Sequence, residues 1–362
     1  MVLPLPVGPV TSTMPCGFEK MRAMQEPPAP DCEGEIGSGA LRGAGCSYGD
    51  AALRPESVVL DCTHLSRVLD WDPESGIVDV EPGVSLGSLW RMTIADGWWP
   101  PVVTGTMEPT IGGALAMNVH GKNNWWRGTI GEHCLEFDVV LANGEWRDFE
   151  ILFTGEGTAD APITLTAETK GDVFITGQSN LRLAGRHLVV SGLVFKDGYS
   201  PTNTVISFRR TSGDLAYHSR VTEVVIDHFN NPERYETDSW VMIYGKHNRF
   251  DHNHLEGKSN QGVTLAVRLD SEESRENRHR IDHNYFGPRP VLGSNGGETL
   301  RIGTSHYSLS DSLTTVENNY FDRCNGEVEI ISSKSGGNVF RGNLFFESRG
   351  TLTLRHGNNN LI

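Results

Sequence analysis

The chain has 362 residues and carries 31 Lys and Arg against 46 Asp and Glu, a formal net charge of −15. Such a chain offers no basic stripe to neutralise phosphates, which excludes nucleic acid as a partner, although a locally basic cleft still admits an acidic sugar. With 37% hydrophobic and 21% charged residues the composition is not that of a disordered chain. No apolar run approaches the ~18 residues that span a bilayer, which excludes a membrane protein. The 41 glycines favour a β-rich protein with many turns.

The amino-terminal region carries little structural signal. Residues 1–38 are rich in Pro and Gly, show no sustained period and are predicted to be poorly ordered. They lack a basic segment followed by an apolar one, so no signal peptide is expected and the default location is cytoplasmic. The six cysteines form neither a Cys-x-x-Cys pair nor a zinc spacing and are expected to be incidental or buried thiols.

Residues 39–144 alternate between strand signals and helix signals. Ile77–Glu81 alternates apolar and polar residues like a strand. Ser85 is placed to cap a helix that runs to Ala95, and Gly97 is placed to end it. This half of the chain is therefore predicted to have an α+β structure.

Residues 145–362 repeat a different pattern. Each repeat has a β-branched or aromatic residue, two or three small or polar residues that often include Asn, and then an apolar pair. The repeats lie at residues 190–195, 225–229, 249–255, 280–286, 315–321 and 339–345. Their spacing indicates a solenoid, and no segment shows the apolar stripe of about 3.6 residues that a helical solenoid needs. The pattern predicts a right-handed parallel β-helix with Asn side chains, including those of the Asp-His-Asn repeats, stacked at the corners.

Three blocks of this second half carry a family resemblance. They are Gly293-Ser-Asn-Gly-Gly-Glu-Thr-Leu-Arg-Ile-Gly303, Asn325-Gly-Glu-Val-Glu-Ile-Ile-Ser-Ser-Lys-Ser335 and Gly350-Thr-Leu-Thr-Leu-Arg-His-Gly357. From about Val140 to the end, the chain resembles polysaccharide lyase family 6, which contains chondroitinase B and β-helical alginate lyases. The resemblance implies β-elimination on an acidic polysaccharide, either alginate or a dermatan/chondroitin-type polymer. Lyases of this family are typically secreted or periplasmic.

The resemblance also implies a calcium site. Glu327 and Glu329 are two residues apart on a predicted strand, so both carboxylates point to the same face. With the side-chain oxygen of Asn295 on an adjacent coil, they form an all-oxygen ligand set suited to Ca²⁺. Two Glu on a strand face are ordinary surface residues when taken alone, and only their spacing within the family blocks favours a site.

The same blocks imply the catalytic residues. Lys334, just past a predicted turn, corresponds to the general base of the family. Arg355, one coil further, corresponds to the residue beside the leaving oxygen. His356 and Arg289 are expected to contact sugar carboxylates.

Two segments of the first half resemble another family. Leu41-Arg-Gly-Ala-Gly-Cys-Ser-Tyr-Gly-Asp-Ala51 and the segment Val103–Asn123, which ends in His-Gly-Lys-Asn, are similar to FAD-linked oxidases of the vanillyl-alcohol-oxidase superfamily. In that family such glycine loops bring backbone N–H groups to the FAD pyrophosphate. The resemblance implies FAD as a cofactor, contacted by Gly43, Ala44, Gly45, Cys46, Ser47, Tyr48, Gly49, Gly105, Thr110, Ile111, Gly112, Gly113, Met117, Asn118, Val119 and His120.

Both resemblances cover only part of their families. The oxidase-like part lacks a second FAD-contacting segment and a substrate domain, and the lyase-like part ends within about one coil of Arg355. The predicted chain is mainly β: unmatched residues 1–38, a partial α+β FAD-binding domain of the PCMH type over 39–144, and a truncated β-helix over 145–362. The two resemblances meet at Val139–Glu145.

Three functional hypotheses follow from this organisation. The first is a Ca²⁺-dependent lyase of uronate polymers, because its key residues are all present. The alternatives are a fragment of an FAD-linked oxidase that binds FAD, and a catalytically inactive hybrid. The sequence does not indicate an oligomeric state.

Overall fold

The computed structural model describes residues 40–47, 59–134, 137–141, 143–293 and 295–362. The chain divides into two units, Met1–Val140 and Leu141–Ile362. The predicted disorder of residues 1–38 concerns a segment outside the described residues. Among the described helices, none has both the length and the apolar character required to traverse a bilayer.

Short strands and short helices make up the first unit. Its strands are β1 (Ala40–Arg42), β2 (Val59–Asp61), β3 (Val68–Asp72) and β4 (Ile77–Val80). Its helices are α1 (Leu86–Thr93), α2 (Ile111–Ala116) and α3 (Asn124–Arg127), with 3₁₀ turns at Cys62–His64, Ile94–Asp96 and Ile130–His133. Strands β1 and β2 pair in parallel, whereas β3 and β4 form an antiparallel pair. A cluster of buried apolar residues, among them Val78, Leu86, Leu89 and Ile111, packs the helices against β4.

The predicted strand and helix of this unit are confirmed. The Ser85 side chain accepts a hydrogen bond from the Ser88 N–H at 3.1 Å and so caps the first turn of α1. Helix α1 ends at Thr93, two residues before the predicted end at Ala95, because the chain continues as a 3₁₀ turn. Gly97 then adopts a left-handed conformation with φ of 86°, which glycine accepts without steric cost.

Residues 138–362 form three sheets of parallel strands. The first sheet contains β5 (Asp138–Leu141), β8 (Ile163–Ala167), β11 (Leu188–Ser191), β16 (Arg220–Thr222), β19 (Arg249–Asp251), β22 (Arg280–Asp282), β25 (Thr315–Glu317) and β28 (Val339–Arg341). The second sheet contains β6 (Gly144–Arg147), β9 (Val173–Gln178), β12 (Leu193–Tyr199), β17 (Val225–Asp227), β20 (His254–Glu256), β23 (Tyr285–Phe286), β26 (Tyr320–Asp322) and β29 (Leu344–Phe346).

The third sheet carries the residues of the predicted lyase site. It contains β7 (Glu150–Glu156), β10 (Asn180–Arg186), β13 (Thr204–Ser207), β18 (Ser239–Ile243), β21 (Leu265–Val267), β24 (Leu300–Ile302), β27 (Glu329–Lys334) and β30 (Thr351–His356). An antiparallel hairpin of β14 (Arg209–Thr211) and β15 (Asp214–Tyr217) joins it beside β10, and a 3₁₀ turn covers Glu272–Ser274.

Each coil contributes one strand to each of the three sheets, which confirms the predicted parallel β-helix. Because neighbouring coils pair in register, equivalent side chains stack inside the molecule. Phe286 stacks on Phe321 with ring centroids 4.9 Å apart, and Phe321 stacks on Phe345 at 4.8 Å. The inward-facing aliphatic residues of the earlier coils are buried in the same way, whereas Phe345, in the last coil, is 39% exposed.

Asparagine stacking at the corners is also confirmed. In the ladder Asn253, Asn284, Asn319 and Asn343, each side-chain amide donates to the side-chain oxygen of the next Asn at 3.0–3.1 Å. The residue before each Asn has a positive φ, which bends the chain at the corner. The histidines of the Asp-His-Asn repeats occupy this bend, and two of them, His252 and His283, stack at 5.0 Å.

A second ladder joins the coils of the first sheet by charge. Arg249, at the start of β19, donates to both carboxylate oxygens of Asp282 on the next coil at 2.9 and 2.7 Å. Arg220 makes the same contact with Asp251. Burial alone would raise the pKa of Asp282, but the hydrogen bonds from Arg249 and His283 outweigh it and hold that pKa below its usual range.

Replacing Asn284 by Leu should destabilise the β-helix by about 2–6 kcal/mol. The change leaves the buried Asn253 N–H and the Phe250 carbonyl without their partners, and each such group costs about 1–3 kcal/mol. The shift is measured as the urea midpoint of unfolding followed by circular dichroism. Asn358→Leu, at an exposed position outside the ladder, is the control and should stay within about 0.5 kcal/mol of the wild type. Equal midpoints for the two variants would contradict the role of the ladder.

Candidate functional site

Three carboxylates converge where strands β24 and β27 of the third sheet begin. Oxygen atoms of Glu298, Glu327 and Glu329 all lie within 4.8 Å of one another. Glu298 lies two residues before β24, Glu327 lies two residues before β27, and Glu329 is the first residue of β27. Because parallel neighbours start at the same edge of a sheet, the turns that lead into them meet. Glu298 and Glu327 are buried, with 1% and 7% of their surface exposed.

Hydrogen bonds fix one oxygen of each carboxylate. The Gly297 N–H donates to Glu327 Oε2 at 2.8 Å, and Arg355 donates to Glu329 Oε1 at 2.8 Å. Arg301 donates to Glu298 Oε1 through Nε at 3.0 Å. Burial, together with the charges of the two other carboxylates, raises the pKa of Glu327.

The second oxygens of this cluster are suited to a cation. Glu298 Oε2 and Glu329 Oε2 are buried and have no hydrogen-bond partner among the described residues. An anionic oxygen in that situation is costly unless a cation or a donor approaches it. Carboxylates are the ligands that hard divalent ions such as Ca²⁺ prefer, whereas zinc sites usually include nitrogen or sulfur. The residues therefore fit a Ca²⁺ ion.

Two basic side chains, those of Lys334 and Arg355, flank the carboxylates. Lys334 ends β27, and His356 on β30 is its partner in the sheet register, with an irregularity after Ser333 that leaves Arg355 between the paired positions. Burial lowers the pKa of Lys334, and the cations of Arg301 and Arg355 lower it further. Neutral amine is therefore available at a lower pH than for an ordinary lysine.

The structure brings four of the predicted residues together and corrects two details of their placement. Glu327 lies in a bend before β27 rather than on the strand with Glu329. Lys334 is on the same strand as Glu329 rather than past a turn. Strand β30 pairs with β27 with two irregularities in register, and Arg355, which lies in one of them, donates to Glu329.

Asn295 and His356 are both exposed. Asn295 lies on the turn that leads to Glu298, and His356 lies on β30 beside Lys334. Metal ligation by Asn295 and sugar contact by His356 stay predictions.

The structure contradicts the predicted contact between Arg289 and a sugar carboxylate. Only 3% of Arg289 is exposed. Its Nη1 donates to the Glu298 carbonyl at 2.6 Å, and its Nη2 donates to the Gly262 carbonyl at 2.6 Å. A guanidinium held in this way by buried backbone does not reach a substrate.

Two residues of the cluster escaped the sequence analysis. Glu298 and Arg301 stand three residues apart in the first family block, and they pair with each other. An acidic and a basic residue three positions apart was the only signal of this pair that the sequence segment offered. The preceding Gly-Gly pair indicated a turn, and the burial of that turn against Glu327 becomes visible only when the coils are in register.

A second candidate site lies within the first unit, as a cavity of about 610 Å³. Its volume is in the range of ~300–1,000 Å³ that is common for small-molecule sites. The lining combines the loop after β1 with the segment around α2. The cavity is lined by Arg42, Gly43, Ala44, Gly45, Cys46, Ser47, Thr104, Gly105, Thr106, Pro109, Thr110, Gly113, Ala114, Met117, Asn118, Val119 and His120.

Most of the residues predicted to contact FAD line this cavity, with two corrections. The Ile111 N–H donates to the Val84 carbonyl and the Gly112 N–H to the Pro82 carbonyl, both at 2.8 Å. Ile111 is also a core residue, 1% exposed, so neither it nor Gly112 faces the cavity.

The predicted contacts of Tyr48 and Gly49 lie outside the described residues. Gly43 allows its loop to approach α2 closely, because a Cβ there would stand 2.3 Å from Thr110 Oγ1.

Two family models match the chain. The Chondroitinase B model matches residues 132–362, and the FAD binding domain model matches residues 38–150. The two matches overlap over residues 132–150, which include the stretch Val139–Glu145 where the two resemblances meet.

Individual relatives agree with this division. The chain is 74% identical to the PL6 family alginate lyase AlyGC, with a TM-score of 0.61, over 62% of this chain and 31% of that chain. It is 40% identical to a mannuronic acid specific polysaccharide family 6 lyase from human gut microbiota, with a TM-score of 0.60, over 62% of this chain and 52% of that chain. The first half is 40% identical over 114 residues to decaprenylphosphoryl-β-D-ribose oxidase of Mycolicibacterium smegmatis, or 31% of this chain and 25% of the oxidase. The chain thus spans 31% of AlyGC and 25% of the oxidase.

Proposed function

The chain belongs to the Chondroitinase B family, whose model covers residues 132–362, and from this premise we propose that it is a polysaccharide lyase acting on a uronate polymer. The observation that carries the proposal is the convergence of Lys334 and Arg355 on the three carboxylates, two of which are buried. Alginate is the proposed polymer, because the two related structures are named as an alginate lyase and a mannuronic acid specific lyase.

The proposed reaction removes the proton at C5 of a uronate residue. The electron pair of the C5–H bond then forms the C4=C5 double bond as the C4–O bond breaks, and the leaving oxygen takes up a proton from water, so the reaction needs no oxidant or reductant. The C5 proton is barely acidic while the neighbouring carboxylate is charged. A Ca²⁺ ion held by Glu298, Glu327 and Glu329, with Asn295 as a further candidate ligand, would neutralise that carboxylate and stabilise the developing charge.

Lys334 acts as the general base in this proposal. The reaction needs its neutral amine, and burial and the neighbouring Arg301 and Arg355 favour that form. Arg355 donates an N–H to the leaving oxygen, while its contact with Glu329 holds the guanidinium in place. Arg301 also balances the charge of Glu298.

Lys334→Ala should lower turnover of alginate by about 10²–10⁴-fold, because a general base typically contributes that much. The assay follows the absorbance of the unsaturated product. Lys246→Ala, a lysine outside the site, is the matched control and should retain full activity. As the pH is lowered, wild-type activity should persist below the ordinary lysine pKa of about 10.4, because the pKa of Lys334 is lowered. A variant with more than a tenth of wild-type turnover would exclude Lys334 as the base, and a wild type without product would favour the inactive hybrid.

Glu298→Gln should weaken Ca²⁺ binding at least tenfold, which corresponds to about 1.4 kcal/mol. The variant removes one of three carboxylate charges while it keeps the shape of the side chain. Isothermal titration of the full chain with CaCl₂ measures the effect, and Glu273→Gln, at an exposed position, serves as the control. Full lyase activity in excess chelator would count against a metal role.

We infer a second function, FAD binding, from the cavity of the first unit. Glycine-rich backbone and the side chains of Met117 and His120 line it, as the resemblance to FAD-linked oxidases implies. Bound FAD would supply a two-electron acceptor. The proposal covers binding alone, because the chain spans 25% of the related oxidase.

Gly105→Val should weaken FAD binding at least tenfold. A Cβ at Gly105 meets nothing within 4 Å, so the added side chain enters open space beside the cavity without a clash against the protein. Fluorescence titration of the full chain with FAD gives the affinity. Gly213→Val, at a glycine that is equally open but distant in sequence, controls for the substitution itself. Equal FAD affinities for Gly105→Val and the wild type would contradict this site.

A further inference from the structure

Arg289 is a buried cation that the proposed reaction does not use. It follows β23, and its backbone forms a parallel bridge with Cys324 on the next coil. Burial lowers the pKa of its guanidinium to about 10, while the nearby Glu298 and Glu327 carboxylates act in the opposite direction. Among the described residues it makes no ion pair within 4.0 Å, although the charges of Glu298 and Glu327 act on it. A buried charge in such a place needs a structural reason.

The guanidinium joins turns from successive coils. Nη2 donates to the carbonyls of Asn260 and Gly262, at 3.2 and 2.6 Å, in the turn before β21. Nη1 donates to the Glu298 carbonyl at 2.6 Å in the turn before β24, and to Thr264 Oγ1 at 3.4 Å. The Asn260 and Gly262 carbonyls thereby gain a hydrogen-bond donor, and the Glu298 carbonyl gains one in addition to the Thr264 N–H, which donates to it at 3.2 Å.

A third turn packs directly on the same side chain. A Cβ on Gly326 would stand 2.8 Å from both Cδ and Nε of Arg289, so the backbone before Glu327 passes against the guanidinium stem. The turn before β24 and the turn before β27 also touch each other, because the Gly297 N–H donates to Glu327 Oε2. The two turns that supply Glu298 and Glu327 therefore share Arg289 as a common support.

We infer that Arg289 is a positioning residue, which fixes these two turns so that Glu298 and Glu327 face the same cation. The inference rests on the proposed function for the identity of that cation, and it adds the residue that holds the ligands. Lysine cannot replace arginine in this role, because an ammonium lacks the planar fork that reaches carbonyls of two coils at once. The positive charge of Arg289 also offsets the repulsion between Glu298 and Glu327 before a cation binds.

The test uses the full chain with Arg289→Lys and Arg289→Ala, and Arg278→Lys as a control at an exposed arginine. Hydrogen exchange read by mass spectrometry compares peptides covering residues 293–303 and 322–334 with peptides covering 249–256 in Ca²⁺-free buffer. Calcium affinity is measured by isothermal titration. Guanidinium chloride is then added to Arg289→Ala at millimolar concentration, with NaCl at equal ionic strength as the comparison.

Both Arg289 variants should exchange at least tenfold faster in 293–303 and 322–334, with 249–256 unchanged, and should bind Ca²⁺ at least tenfold more weakly. Guanidinium, but not NaCl, should restore slow exchange in Arg289→Ala. Unchanged exchange in the two turns, equal loosening of all peptides, or global unfolding of both variants would overturn the inference, since it assigns Arg289 to these turns alone. A wild type that binds no Ca²⁺ would refute the proposed metal site, while the exchange data would still decide the role of Arg289.

Discussion

Hydrogen bonding between neighbouring coils in register is the constraint on which the lyase-like site depends. Glu298 and Glu327 are distant in sequence and meet only because β24 and β27 pair residue for residue, with Arg301 opposite Ser332. A slip of one residue would turn alternate side chains to the opposite face of the sheet. The corner asparagines resist such a slip, because each side chain bonds both backbone and side chain of an adjacent coil. The asparagine stacking at the corners and the geometry of the carboxylate cluster therefore depend on the same pairing of coils.

How much of the structure the sequence predicts depends on whether the signal is local. The repeat pattern and the corner asparagines have local signals, and so does the Ser85 cap of α1; all three are confirmed. Glu298 and Arg289 belong to turns whose burial depends on the lengths of several coils, so their roles could not be deduced from one segment. The pairing of the Gly112 N–H with Pro82 likewise depends on how α2 packs in three dimensions.

Cation binding and folding are coupled at the carboxylate cluster. Three carboxylates that lie close together, two of them buried, disfavour the folded state when no cation is present. Arg301 and Arg355 bond two of them, and the charge of Arg289 acts on Glu298 and Glu327 without an ion pair to a carboxylate among the described residues. A bound cation would stabilise the fold through the same residues that it needs as ligands, because a ligand that binds only the native state shifts the folding equilibrium.

The second ladder, formed by Arg and Asp residues of the first sheet, bears on which coils can pair with each other. Arg249 and Arg280 occupy the first position of successive strands, and Asp251 and Asp282 occupy the third. A coil displaced by one whole repeat would meet an equivalent arginine and an equivalent acid, so the ladder specifies alignment within a coil but not which coil is the neighbour. A strand from another copy of the chain would offer the same charges, so this ladder by itself does not distinguish pairing within one chain from pairing between copies.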